Sequence, residues 1–570
     1  MVNIRIGKAQ RCRNEYSIFI SFDFDMAIVN IIRSYSSRYW NKDTKEWEMP
    51  LRDLDYLQCD LKGYRLTIKD ERVNTKENNK SSCIEPKSTI ESILANYQFK
   101  TTPFQHQIDG LRYGLEHDKW LLGDEQGAGK TKQIIDLACI KKKENGYKHC
   151  LIICGVNGLK WNWKEEISKH SNETGYIIGE RLNKRNKVII KGNKEKVEDL
   201  RNIDKIDSYF LITNVESLRN ADINNELLKL CRNNKIDMIA ADEMHKMKNP
   251  NSQQGKAMLK LNAKTMVAMT GTPLMNTPLD LYIILKWLGF ESHTFYAFKN
   301  HFCEYGGFGG YEIIGYKNLN ELKNTLNRIM LRRLKKETLD LPEKLYVNEY
   351  VDMTPKQEQV YREVHNNILA NIDQITLSPN PLTQLIRLRQ ATGYTGILSS
   401  VVQESAKLDR MEELVDNAVE NGTKVVIFSN WTSITDIAYE KLSKKYRGCM
   451  ITGETKDEDR QLYKNRFQED DKYKFIIGSI DAMGTGLTLT AASVVILLDE
   501  PWNRAKLDQA IDRCHRIGQK SNLTIYTIMC KNTIDERIHE IVQEKGAMSD
   551  IIVDGKITGN KLETLNFLLN

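Results

Sequence analysis

Three groups of residues have the types and spacing to do chemistry. The first is in LLGDEQGAGKTKQ, residues 121–133, where Gly127, Ala128, Gly129, Lys130 and Thr131 stand between an apolar run and a helix-forming stretch. Glycines let backbone N–H groups close around a phosphate, and the helix N-terminus behind them adds a favourable dipole. Lys130 would then reach the β and γ phosphates of a nucleoside triphosphate, and Thr131 would offer its hydroxyl to Mg²⁺. The strict pattern asks for glycine where Asp124 stands, so the loop by itself also reads as an ordinary glycine-rich turn. The second group, in DMIAADEMHKMKN, sets Asp242 and Glu243 at the end of an apolar run. Strand ends are where α/β sheets present functional groups. Asp242 there would hold Mg²⁺, partly through water, and Glu243 would orient an attacking water. The third is DQAIDRCHRIGQ, where Arg513 and Arg516 are three apart and Gln509 precedes them. On a helix such a pair shares one face. Alone it is a solvated basic face; facing a polyanion it is part of a site.

These groups need a scaffold, and the apolar runs supply one. WLLGDE, HCLIICGV, YFLITNVE, DMIAADE and TMVAMTGTP alternate with amphipathic stretches from about residue 95 to 290. Strands separated by helix-length segments imply a parallel sheet covered on both faces. The same rhythm returns after residue 405 in KVVIFSN, KFIIGSI, SVVILLDEP and LTIYTIMC. Residues 291–405 between them are charged and mostly helical, with a glycine-rich YGGFGGY. Residues 1–72 predict a small α+β module: SIFISFDFD alternates with period two, a helix follows, and RYWNKDTKEWEMP reads as a hairpin. Residues 73–94 are polar and unpatterned, a linker.

At 570 residues the chain exceeds a single core, and its 28% charged and 41% hydrophobic composition is that of an ordinary soluble protein. A net charge of +7 permits a nucleic-acid partner without demanding one. Eleven cysteines form no CxxC pair, which argues for a reducing compartment and against structural zinc. No apolar segment reaches membrane-spanning length and the N-terminus lacks a signal-peptide centre, so the expected location is the cytoplasm, or the nucleus of a eukaryote.

GAGKT with DEMH resembles motifs I and II of superfamily-2 helicase ATPases, and MTGTPLMN resembles motif III. PFQHQIDGLRYG is similar to the Q motif, which implies that Gln107 reads adenine and leaves Gln105 and His106 exposed without assigned chemistry. DQAIDRCHRIGQ is similar to motif VI, so Arg513 and Arg516 are expected to cross from a second lobe to the γ-phosphate, with Gln509 orienting that side; such an arginine is worth ~10³–10⁵ in rate. Together with IMLRRLKKETLDLPEK, SAKLDRMEELV and the long stretch from IGSIDAMGTGLT to HRIGQ, this resembles the Swi/Snf-type DNA translocases over residues 95–553.

The resemblance implies an α/β fold of two RecA-like parallel-sheet lobes with helical insertions, at 95–290 and 406–553, joined by 291–405 and followed by a tail at 554–570. It implies ATP and Mg²⁺, with Gly486 also at the nucleotide. It further implies double-stranded or forked DNA and DNA-bound proteins as partners. Backbone contacts are expected from Gly155, Asn157, Gly158, Thr213 and Asn214 in the first lobe, and from Asn430, Thr452, Gly453, Gly484, Thr485 and Trp502 in the second. Plain core is an equal reading for Trp502. The usual Met and Leu of motif I are Gln126 and Ala128 here, the usual Asn after GTGL is Thr488, and WNPA has become WNRA with Arg504. None falls on an inferred phosphate contact, so these departures are expected to bear on efficiency or coupling.

SRYWNKDTKEWEMPLRDLDYL, residues 37–57, resembles the HARP domain of annealing helicases through Arg38, Tyr39, Trp40, Trp47 and Pro50, with Arg38, Tyr39, Trp40 and Trp47 as candidate DNA contacts. Aromatic and basic side chains on a hairpin can stack on unpaired bases. A module so small could equally use Trp40 and Trp47 as its core. Rewinding of separated strands follows from this resemblance. Strand separation, or a RapA-type motor acting on RNA polymerase, stays open beside it, whereas a non-catalytic scaffold does not fit the presence of Lys130, Asp242, Glu243 and Arg516.

Overall fold

The computed structural model describes residues 2–543 apart from 12–15, 72–88, 184–187, 248, 273–276, 307, 340, 371–381, 485–486, 502–503 and 541. Thr485, Gly486, Trp502, most of the 73–94 linker and the 554–570 tail therefore lie outside the described residues. No helix among those described is long and apolar enough to cross a membrane. The chain forms two compact units, one of Met1–Gln98, Met247–Asn262 and Thr277–Arg328, the other of Phe99–Lys246, Ala263–Asn276 and Ile329–Asn570.

The larger unit holds both parallel sheets. In the first, the strands run in the order Met330–Leu331, Lys119–Leu122, Thr265–Met269, Met238–Asp242, Cys150–Cys154, Phe210–Asn214 and Gly175–Ile177. Every pairing is parallel, and four of the five central strands are buried along their whole length, as continuous Val, Ile, Leu and Ala runs require. The register aligns Leu122, Met269, Asp242, Cys154 and Asn214 in one row at the carboxyl edge. The loops that leave this row are those expected to carry chemistry.

The second sheet is also wholly parallel, in the order Lys344–Val351, Leu523–Cys530, Ala492–Leu497, Lys424–Ser429, Tyr473–Ser479 and Arg447–Ile451. Its outermost strand, Lys344–Val351, comes from the segment expected to be helical, so this sheet recruits residues well before position 406. No residue of KLYVNEYV is fully buried, as befits a strand at the edge of its sheet.

The smaller unit contains the N-terminal module as a five-stranded sheet in the order Tyr39–Asn41, Glu46–Pro50, Tyr16–Phe22, Val2–Lys8 and Leu66–Asp70. Neighbours are antiparallel except the last pair. The helix Met26–Ser34 is capped by Asp25, whose side chain accepts from Ala27 N at 2.8 Å, and buries Ile28, Val29 and Ile32 against the sheet. Its core is aliphatic, with Val2, Ile4, Ile6, Ile18, Ile20, Met49 and Leu57. Each such side chain contributes about 1.5–3 kcal/mol on burial. Trp47 packs partly against this core, while Tyr39 and Trp40 are each 42% exposed, so the hairpin aromatics are not the centre of the module.

A polar seam joins the module to residues 286–294 within the same unit. Tyr35 and His293 form a β-bridge, Ser36 N donates to Ser292 O at 3.0 Å, and Thr294 N donates to Ser34 O at 2.7 Å. Tyr35 Oη donates to Asp60 Oδ2 at 2.5 Å, and His293 lies between Asp60 at 3.1 Å and Glu291 at 2.9 Å. Ser292 Oγ donates to Asp53, and Lys286 Nζ donates to Ser36 Oγ and to the carbonyls of Ser292 and His293.

Candidate nucleotide cleft

The phosphate loop leaves strand Lys119–Leu122 and enters helix Lys130–Asn145. Gly127 and Gly129 have φ values of 83° and 79°, a region that other residues seldom adopt. A Cβ on Gly127 would lie 2.7 Å from Arg516 Cβ, so the second lobe packs directly on this loop. Lys130 Nζ donates to Asp124 O at 2.7 Å and Glu125 O at 3.3 Å. Burial lowers its pKa, while Glu243, Asp124 and Asp242 oppose that shift. Thr131 stands at the head of the helix, partly exposed.

Asp124, the residue in place of the first glycine, is fully buried. Arg333 pairs with both of its oxygens, and Gln133 Nε2 donates to it at 3.0 Å. The same guanidinium donates to His106 O and to Gln133 Oε1. His106 is buried rather than exposed, with Nε2 2.8 Å from Ala128 O, so its ring braces the loop. Gln107 is 2% exposed and spends its amide on backbone: Oε1 accepts from Phe104 N at 3.0 Å, and Nε2 donates to Gly129 O at 3.4 Å. That cap of the helix Gln105–Glu116 takes up the groups expected to read adenine.

Asp242 ends its strand, and Glu243 follows with φ 51°, a strained value for a non-glycine residue and one that clusters at functional sites. Asp242 Oδ1 accepts from Glu243 N at 2.9 Å and Oδ2 from Trp163 Nε1 at 2.8 Å. Burial and the Glu243 charge raise the Asp242 pKa. Burial also acts to raise that of Glu243, but His245, Arg513 and Lys130 outweigh it and keep Glu243 ionised. Trp163 was not among the residues marked from the sequence. It is fully buried on helix Leu159–His170, and only its partner reveals its role.

Arg513 and Arg516 lie beyond the end of helix Arg504–Ile511, so they do not share a helical face. At this turn Asp512 is held by Lys335 at 2.7 Å and Lys344 at 2.8 Å. Burial works against ionisation of Asp512, yet the two lysines bring its pKa down to about 2. The two guanidinium groups take different partners. Arg513 donates to Gly484 O at 2.9 Å and Gln126 Oε1 at 3.1 Å, and lies 3.7 Å from Glu243 Oε1. Arg516 donates to Thr488 Oγ1 at 3.0 Å, and burial together with the Arg513 charge pushes its pKa down to about 10. Gln509 Nε2 donates to Glu243 Oε1 at 3.2 Å. Two of the departures thus do touch the site: Gln126 and Thr488 each accept from one of the arginines. Arg504 instead pairs with Asp508 at 3.0 Å and Gln543 at 2.8 Å.

The cleft fits a nucleoside triphosphate. Glycine backbone, Lys130 and two arginines converge on it, and Gln126 Nε2 is a buried atom with no hydrogen-bond partner among the described residues. Glu243 Oε2 takes no hydrogen bond among the described residues and lies 3.3 Å from His245 Nδ1, which is itself 2.9 Å from Thr270 Oγ1. Arg333 and Lys335 were also missed. Lys335 N donates to Glu125 Oε2 at 2.8 Å and its Nζ to His515 O at 2.8 Å, so the segment between the sheets touches both halves of the cleft.

The residues expected at a polynucleotide are placed less uniformly. Asn157 is exposed at the tip of the loop after Cys150–Cys154, and Gly158 beside it is half-buried. Gly155 is packed against the acid pair: its N–H donates to Asp242 O at 2.8 Å, and a Cβ there would lie 2.6 Å from Glu243 O. Thr213 and Asn214 are buried, and Asn214 Nδ2 donates to Asn157 Oδ1 at 3.2 Å, so Asn214 supports the loop. In the second lobe Gly453 is exposed, Asn430 is tied to Asp499, and Thr452 and Gly484 are buried. Arg38 is half-buried and donates to Tyr35 O.

One parallel-sheet lobe carries a phosphate loop and an acid pair, and the other carries arginines that reach them. The model of the SNF2-related domain matches residues 106–395, and that of the helicase conserved C-terminal domain matches residues 406–518. The chain belongs to the SNF2 family. An "Uncharacterized ATP-dependent helicase" of Mycoplasma pneumoniae is 28% identical over 77% of this chain and 41% of its own length. The mouse "DNA annealing helicase and endonuclease ZRANB3" is 26% identical over 83% of this chain and 43% of its own. The chain thus spans less than half the length of either relative. A solved structure, "Sulfolobus solfataricus SWI2/SNF2 ATPase core in complex with dsDNA", is 28% identical and covers 80% of this chain and 94% of that one, with a TM-score of 0.36. The sheet orders define the fold independently of that likeness.

Proposed function

We propose that this chain hydrolyses ATP to translocate on double-stranded or forked DNA, remodelling DNA structures or protein–DNA complexes and rewinding separated strands. The observation that carries the reading is the placement of Arg513 3.7 Å from Glu243 and of Arg516 against the phosphate loop, since hydrolysis is then possible only with both lobes together. In this reading Lys130 and the loop N–H groups bind the β and γ phosphates, and Glu243 orients the attacking water. The two arginines stabilise the charge that spreads over the transferred group. Mg²⁺, held by Thr131 and through water by Asp242, would neutralise phosphate charge. Asn157 and Gly453 are exposed, and with the half-buried Gly158 they offer backbone groups suited to phosphate contacts without sequence readout.

A role for the HARP-like module in holding forks is supported by the exposure of Tyr39 and Trp40 and by the Trp40–Trp47 ring pair, 5.2 Å apart. Names of relatives support the same direction, one of them an annealing helicase and one a core complexed with dsDNA. The test is ATPase rate with fork, duplex, single strand and RNA in parallel, followed by strand annealing and strand displacement with the best activator. Strong stimulation by duplex or fork with annealing is the expected result. Turnover indifferent to nucleic acid would refute the motor reading, and displacement without annealing would refute rewinding.

A further inference from the structure

Gln126 stands where the family carries methionine, and its side chain is only 6% exposed. A guanidinium has donors alone, so the Arg513 Nη2 bond of 3.1 Å fixes the amide with Oε1 toward the arginine. Nε2 is then the other arm, buried and without a hydrogen-bond partner among the described residues. It lies among the groups that handle the terminal phosphate. A Cβ added to Gly271 would fall 2.4 Å from Gln126 Cγ and 3.3 Å from Lys130 Nζ, and Arg513 Nη2 is 3.7 Å from Glu243. A buried amide with an unused N–H pair is costly, and methionine would fill a similar volume without that cost.

We propose that Gln126 senses the γ-phosphate. Nε2 donates to the terminal phosphate of a bound triphosphate, while Oε1 holds Arg513 of the second lobe to the same group. This rests on the ATPase reading above and deepens it: a diphosphate offers no acceptor at that position, so Gln126 separates ATP from ADP and ties that distinction to lobe contact.

Binding of a fluorescent non-hydrolysable ATP analogue and of the matching ADP analogue, with Mg²⁺ and without DNA, tests this on the full chain. Gln126→Met should weaken triphosphate binding about tenfold and leave diphosphate binding within about twofold, the loss of one hydrogen bond to a charged group. Gln126→Glu keeps an acceptor for Arg513 but lacks the donor, and should lose at least as much triphosphate affinity. An unchanged melting temperature in both variants separates this effect from misfolding. Equal loss for both nucleotides, or triphosphate preference retained in Gln126→Glu, would overturn the proposal. A wild-type chain that binds neither nucleotide would instead sink the ATPase reading on which it rests.

Discussion

Two dense polar clusters, the seam of the smaller unit and the nucleotide cleft, differ in how fully they satisfy themselves. In the seam of the smaller unit, Tyr35, Asp60, His293, Glu291, Ser292, Asp53, Lys286 and Ser36 all find partners within the cluster. In the nucleotide cleft, Gln126 Nε2 and Glu243 Oε2 take no hydrogen bond among the described residues, Glu243 is strained, and Arg516 is held beside a second arginine. A network that closes on itself specifies structure, while one with surplus donors and like charges is built for something that arrives later. The contrast predicts that changes in the cleft cost activity and changes in the seam cost stability.

The largest effect expected is in the cleft. Lys130→Ala or Arg516→Ala should lower DNA-stimulated ATP turnover by about 10³-fold or more while duplex affinity in a gel-shift assay stays within a few-fold. Parallel loss of DNA binding would place these residues with the seam, as structural. Next is Trp163→Phe, which keeps the ring but removes the hydrogen bond to Asp242. A bond to a charged group is worth about 1.5–3 kcal/mol, so kcat should fall roughly 10- to 100-fold with KM for ATP unchanged. A rise in KM alone would sever Trp163 from the catalytic geometry.

The seam gives the opposite signature. Burial acts to lower the His293 pKa, but hydrogen bonds to Asp60 and Glu291 outweigh it and bring the value up to about 9. Tyr35, Asp53 and Lys286 also face this ring's surroundings. A folded value above the ordinary 6.5 means stability fully present below about pH 6.5 and lost as pH rises through about 9, on the order of 2–3 kcal/mol. Lys286 in the same seam acts in the opposite sense, because burial brings its pKa down to about 8 and folding regains stability as pH rises above that value. Thermal unfolding between pH 6 and pH 8 should therefore show the His293 decline, and His293→Gln should flatten it without altering kcat. The smallest effect is expected outside both clusters. Trp40→Ala should weaken fork binding about fivefold and plain duplex less than twofold, since stacking on an unpaired base contributes about 1–3 kcal/mol. Equal weakening on both would remove the case for a fork-holding hairpin.

Much of this architecture could be read in the linear chain. Runs such as CLIIC and KVVIFS are buried on both faces, and that leaves an unbroken apolar signature. The strands that escaped notice, Gly175–Ile177, Arg447–Ile451 and Lys344–Val351, lie at sheet edges, where one flank is polar and the pattern dilutes. In the cleft, Lys130, Asp242, Glu243, Arg513 and Arg516 announce themselves through local spacing. Trp163, Arg333 and Lys335 do not, because their partners are 79, 209 and 177 or more positions away and only the folded chain brings them together. One signal was available for Arg333: a buried aspartate at the end of an apolar strand must find a cation, and the RR of IMLRRLKK follows a short apolar pair that joins the same sheet.

The seam has one further consequence. Because Tyr35 and Ser36 are stitched to Ser292 and His293 across more than 250 positions, severing the backbone between Glu71 and Thr89 should not release the first seventy residues. The two pieces would copurify as a nicked complex and, expressed from separate genes, would reassemble. The amino-terminal segment is therefore no detachable accessory, and a shortened protein that omits it would uncover the polar row of Lys286, Ser292 and His293.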